Sequence, residues 1–187
     1  VVSTGSHTTN ALAPLLKVID ARFGLVDAMM TAVRAYTNEQ KLLDATDGDL
    51  RRARSAPTSI VPTTTRASKA IGQVMPHLKG RVSGFAVCVP VPSVSVLELT
   101  CRFDPEVDAQ ALNEAFREAA ADGLGRVLAV SDEALVSSDF RGSRYSAVVD
   151  LPSTLAIGPL AKVAAWYDNE WGYASRVAEA ARIVAGR

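Results

Sequence analysis

Between Val82 and Phe103 the chain is rich in valine and broken at Pro90 and Pro92. Such a stretch reads as strand, and proline, with no backbone donor, interrupts it. The rest of the chain supplies helices to cover a sheet. Leu12, Leu15, Leu16, Ile19 and Phe23 fall at helical spacing ahead of Gly24. Thr8, Thr9 and Asn10 offer capping oxygens at the front of that helix. Thr65–Met75 predicts a short helix ending before Pro76. Asp108–Ala121 predicts another, with Leu112, Phe116 and Ala119 on one face and Gly123 as its stop. Glu170–Val184 predicts a last one, with Tyr173, Val177, Ala180 and Val184 in phase. Leu25–Tyr36, Leu135–Phe140, Tyr145–Asp150 and Lys162–Tyr167 read as further strands. Helices and strands are mixed without strict alternation. The expected fold is therefore α+β, a mixed and mostly antiparallel sheet covered by helices. Thr37–Pro57 is polar and reads as a long ordered loop, a feature that inside a compact domain tends to carry function.

The chain has 187 residues, 48% of them hydrophobic, which suits one domain over residues 1–187 with a real core. Twenty basic residues balance twenty acidic ones with no long run of either sign. That argues against nucleic acid or an anionic membrane as a partner. No apolar run approaches the length of a membrane span, and the front has no basic region followed by an apolar block. Two cysteines, Cys88 and Cys101, do not make a disulfide framework at this length. Reduced thiols and a cytoplasmic location are the expectation. The first residue is Val1, so either residues precede it or the natural front is unusually short.

Six segments carry more specific information. They are Val2-Ser3-Thr4-Gly5-Ser6-His7-Thr8-Thr9-Asn10-Ala11-Leu12-Ala13-Pro14, Arg34-Ala35-Tyr36-Thr37, and Asp49-Leu50-Arg51-Arg52-Ala53-Arg54 followed by Ile60–Thr65. Next come Val89-Pro90-Val91-Pro92-Ser93-Val94-Ser95-Val96, Val136-Ser137-Ser138-Asp139-Phe140, and Trp166-Tyr167-Asp168-Asn169-Glu170-Trp171-Gly172-Tyr173. In order and spacing, from Val1 to about Val184, the chain resembles the C-terminal catalytic domain of glyceraldehyde-3-phosphate dehydrogenases. That resemblance is specific for fold and less so for activity, because function resides in the site.

The resemblance implies a site with four departures. The family's nucleophilic cysteine falls on His7, and its histidine falls on Arg34. Imidazole cannot form the thiohemiacetal that hydride transfer requires, and arginine, permanently protonated, cannot act as a base. The arginine before the Val-Pro-x-Pro segment is replaced by Cys88, and the family's phosphate-binding Thr-Gly pair is Thr65-Arg66. Ser6, Thr8, Thr37 and Arg52 stand as the family has them. Those six residues, Ser6, Thr8, Thr37, Arg52, Thr65 and Arg66, are the expected substrate binders. His7, Cys88 and Arg34 are the expected catalytic set. A helix N-terminus disfavours the imidazolium, so a neutral His7 is expected to act as general base or as donor to an oxyanion. Cys88 beside it is a candidate nucleophile.

No Gly-x-Gly-x-x-Gly follows a strand at the front, so the chain is not expected to hold a dinucleotide by itself. No cofactor and no metal are expected. The main functional expectation is a NAD-independent, non-redox enzyme of small-molecule biosynthesis. It would catalyse addition, cyclisation or isomerisation of a small polar or anionic metabolite by acid/base chemistry. Two alternatives stand beside it: a catalytically silent module that binds protein, and a fragment of a longer NAD-dependent dehydrogenase-like protein. Association into a homo-oligomer through the sheet of Val82–Phe103 is expected from the resemblance.

Overall fold

The computed structural model describes residues 2–186; Val1 and Arg187, the two ends of the expected domain, lie outside the described residues. Four helices pack with a seven-stranded sheet. The helices are α1 (His7–Phe23), α2 (Ala67–Val74), α3 (Ala109–Ala121) and α4 (Trp171–Val184). The strands are β1 (Leu25–Ala35), β2 (Val61–Thr63), β3 (Val82–Val89), β4 (Ser95–Phe103), β5 (Leu128–Ser131), β6 (Ala147–Ile157) and β7 (Leu160–Tyr167). They lie in the order β2-β3-β1-β4-β7-β6-β5. The β1–β3 and β5–β6 pairs are parallel and the other four antiparallel. The expected class, a mixed and mostly antiparallel α+β sheet, is what forms.

Strand alternation gives the sheet two unlike faces. On one, Met30, Ala32, Leu97, Leu99, Val163 and Ala165 are fully buried and share a core with Leu12, Leu15, Leu16 and Ile19 of α1. Each of those four helix side chains contributes roughly 1.5–3 kcal/mol in transfer free energy. On the other face, Met29, Phe85, Leu155 and Ile157 stand more than half exposed. Met29, Leu155 and Phe85 are linked through the registers Met29↔Thr100, Thr100↔Lys162, Lys162↔Leu155 and Thr31↔Phe85, and Ile157 follows Leu155 in phase, opposite Leu160.

Two local expectations are corrected, and one helix is capped from outside. The first helix starts at His7, ahead of the three residues read as its cap. Ser6 is the cap, its Oγ accepting the N–H of Thr9 at 3.1 Å. This puts His7 in the first turn and leaves Thr8 and Thr9 buried inside the helix. Leu135–Phe140 is not a strand; Ser137–Phe140 forms a 3₁₀ turn. The Asp139 carboxylate accepts the Val136 N–H at 2.8 Å, a local bond that competes with a ladder. The strand of that region is β5, four residues earlier and too short to show a period. Finally, α4 is capped by a residue outside it. Asp168 Oδ1 accepts the N–H groups of Glu170 and Trp171 at 2.8 and 2.9 Å, and its Oδ2 accepts from Gly142 at 2.8 Å. Gly172 lets the helix start lie close to the 143–145 turn, where a Cβ would sit 2.6 Å from the Tyr145 carbonyl oxygen.

Candidate functional site

The C-terminal end of β1 meets the N-terminal turn of α1 on the helix-covered face. In phase with buried Met30 and Ala32, Arg34 points to that face. Cys88 is its register partner on β3, likewise in phase with buried Ala86. On the other side of β1, Ser95 of β4 is paired with Tyr167 of β7, and both are buried. Four adjacent strands thus present one row, Cys88–Arg34–Ser95–Tyr167, beneath His7 and Thr8. Ser95 and Tyr167 lie within the motif segments, but neither is among the expected site residues; the register of four strands brings them into the row.

The row is held by specific bonds. Ser95 Oγ accepts the Ala35 N–H at 3.2 Å, fixing the backbone next to Arg34. Thr8 Oγ1 and the Tyr167 hydroxyl lie 3.2 Å apart. Burial raises the Tyr167 pKa, so its hydroxyl keeps its proton. Ahead of Ser95, Val94 has φ 64°, a conformation a β-branched residue enters only at a cost. It is held there by packing with Phe140 and Val148.

His7 lies over this row. Its ring is stacked on Tyr167 at 6.0 Å between centroids and meets Tyr173 edge-on at 6.5 Å. Tyr173 in turn bonds to Thr4 Oγ1 at 2.8 Å and donates to the Gly5 carbonyl at 3.1 Å, pinning the segment that enters α1. The His7 pKa is lowered from 6.5 to about 4, first by burial and then by the Arg34 cation, against a smaller opposing pull from Glu39. The imidazole is therefore neutral at pH 7. Helix position alone pointed the same way, but desolvation is the larger cause.

Cys88 neighbours Arg34, with Sγ 4.0 Å from Nη2, and no hydrogen bond joins it to His7. The other expected binders fall into separate places. Thr37 bonds within its own turn, its N–H and hydroxyl donating to Gln40 Oε1 at 2.7 and 3.1 Å. Arg52 lies 3.7 Å from Asp49, and its Nε is buried without a hydrogen bond. Thr65 accepts the Ala67 N–H at 3.2 Å, and Arg66 is the exposed residue before α2. Among the described residues, no hydrogen bond or ion pair links Arg52, Thr65 or Arg66 to His7 or Arg34. Nor do three or more His, Cys, Asp or Glu side chains gather as a metal cage. A cavity of about 620 Å³ lies behind the first turn of α1, lined by Thr4, Asn10, Lys17, Met75 and Arg176, and does not include His7.

Comparison with known proteins adds the following. Residues 6–169 match the family described as glyceraldehyde 3-phosphate dehydrogenase, C-terminal domain. A glyceraldehyde-3-phosphate dehydrogenase of Bacillus subtilis is 49% identical over 188 aligned residues, covering 100% of this chain and 55% of the relative. That of Geobacillus stearothermophilus is 48% identical, covering 100% of this chain and 56% of the relative. A chloroplastic one of Arabidopsis thaliana is 48% identical, covering 99% and 47%. The chain spans about half the length of these relatives.

These relatives overturn the expectation of a NAD-independent, non-redox enzyme of small-molecule biosynthesis. Identity near one half, held over the whole chain, is to proteins named as dehydrogenases. The alternative of a fragment of a longer dehydrogenase-like protein fits them better. Among the described residues, no helix is long and apolar enough to cross a membrane.

Proposed function

The chain belongs to the glyceraldehyde 3-phosphate dehydrogenase family, in its C-terminal domain, and on that footing we propose that it is the substrate-holding half of a longer dehydrogenase-like protein. The observation that carries this reading is the pairing of two figures. The alignments take in 99–100% of this chain but only 47–56% of the relatives.

In this reading the ligand is a small phosphorylated aldehyde or acyl compound. Arg52, whose buried Nε has Asp49 at 3.7 Å but no hydrogen-bond acceptor, and Thr37 hold one phosphate. Thr65, Arg66 and the start of α2 face a second anionic group. The first-turn amides of α1, with Ser6 and Thr8, lie at the reacting carbonyl, where helix N–H groups favour developing negative charge. A nicotinamide dinucleotide, if bound, would supply a hydride acceptor. Asn169 is the residue of this half suited to hold it, because its Oδ1 is buried with no hydrogen-bond partner and would accept from a carboxamide N–H.

At the nucleophile and base positions of this family the chain carries His7 and Arg34. We read them as substituted groups on a frame still built for a thiolate. The helix start lowers a thiol pKa through its dipole and free amides. The double variant His7→Cys, Arg34→His is expected to give a thiol that iodoacetamide alkylates at pH 7 about tenfold faster than Cys88 in the parent. Equal rates would contradict the reading.

Self-association is assigned to the outer sheet face, where Met29, Phe85, Leu155 and Ile157 are exposed together. Calorimetric titration with glyceraldehyde 3-phosphate tests the pocket. Binding by the parent, weakened about tenfold in Arg52→Ala, is expected. No binding by the parent protein would refute the assignment.

A further inference from the structure

Among the described residues, Arg34 is the half-buried arginine that has no acid partner. Among the described arginines, those less than fully exposed are Arg34, Arg52, Arg117 and Arg176. Arg52 has Asp49 at 3.7 Å, Arg117 has Asp132 at 2.7 Å, and Arg176 has Glu179 at 2.8 Å. Arg34 has no carboxylate within 4.0 Å. Its one hydrogen-bond contact among the described residues is the Cys88 sulfur, 4.0 Å from Nη2, and its Nε is buried with no acceptor. Burying a guanidinium edge without an anion is costly, because the group surrenders water and receives nothing.

Apart from the exposed Glu39, whose carboxylate acts on His7 from the loop after β1, the surroundings are neutral or donating. His7 is uncharged at pH 7. Thr8 and Tyr167 offer hydroxyls, already near each other. Ser6 takes up the Thr9 N–H, and Asn10 N–H takes the Ser6 carbonyl, so the His7 and Thr8 amides of the first turn find no acceptor within the described chain. A guanidinium edge, an imidazole and free helix amides are a donor set that lacks one planar anion.

We propose that Arg34 binds the carboxylate of a small phosphorylated carboxylic acid through its Nε–Nη edge, beside His7. The fork geometry suits a carboxylate because two parallel N–H donors meet its two oxygens. The proposal rests on the phosphate-binding reading above and deepens it by naming the group at the other end of the ligand. It makes the pocket selective for the acid over compounds that carry the same phosphate without a carboxylate.

The test is calorimetric titration of the full chain with two probes, 3-phosphoglycerate and glycerol 3-phosphate, which share a phosphate and differ in the carboxylate. The acid is expected to bind about tenfold more tightly. Arg34→Gln is expected to abolish that ratio while changing glycerol 3-phosphate affinity less than about twofold. Equal affinity of the parent for both probes overturns the proposal and leaves the phosphate reading intact. So does a preference that survives in Arg34→Gln. Failure of both probes to bind the parent overturns the phosphate reading and the proposal with it. The comparison of probes on the parent needs no variant, so it stands even if Arg34→Gln folds poorly.

Discussion

His7 shows how far one residue is set by its place. Free histidine titrates near 6.5; here burial and Arg34 bring it down to about 4. Between those values the unfolded chain binds a proton that the folded chain refuses, so stability is full above about 6.5 and falls as pH drops toward about 4. The whole effect is at most roughly 3 kcal/mol. Urea unfolding of the parent at pH 7 and pH 4.5, set beside His7→Gln, checks this. The variant is expected to lack a large part of the parent's loss in that window; identical losses would contradict a buried neutral imidazole. His7, Arg34 and Cys88 were readable as unusual residues from the motif segments alone. Ser95 and Tyr167 were not, since a serine or tyrosine in a strand gives no sign of which strand will lie beside it.

At the scale of elements, period and stop signals placed the four helices and the strands β1, β3, β4 and β7 to within a few residues, ended β6 seven residues early and missed the short β2 and β5. The misses have local causes. Ser6 took the cap because its hydroxyl reaches Thr9 N–H, whereas the threonines after it turn inward, Thr8 toward Tyr167. Ser137–Phe140 turned because Asp139 satisfied the backbone locally. Two substitutions test these attachments. Leu16→Ala, at a fully buried position of α1, is expected to cost about 2–5 kcal/mol in chemical denaturation. Asp168→Ala removes the acceptor of three backbone N–H groups that tie α4 to the 142 turn. A loss of about 2–3 kcal/mol is expected, with faster amide exchange at Glu170 and Trp171 than elsewhere in the protein. Uniform exchange would show that α4 is held by other contacts.

For the whole molecule, the two unlike sheet faces divide the work. The face under α1 carries the core and, at its C-terminal end, the row beneath His7. The outer face carries exposed Phe85 and Ile157 and is the one assigned to self-association. Phe85→Glu with Ile157→Glu is expected to shift the protein to monomer in sedimentation velocity while far-ultraviolet dichroism stays unchanged; an unaltered sedimentation profile would place the contact elsewhere. The fold follows from pattern because each element's apolar face needs only a partner of matching period. The function does not, because residues 34, 88, 95 and 167 acquire meaning only once four strands are aligned. The place of this chain within a longer dehydrogenase-like protein is tested most directly by the mass of the native polypeptide that carries it. An antibody against this chain, used on an extract of the source cells, is expected to detect a species of about twice 19.8 kDa. A sole species at 19.8 kDa would contradict it.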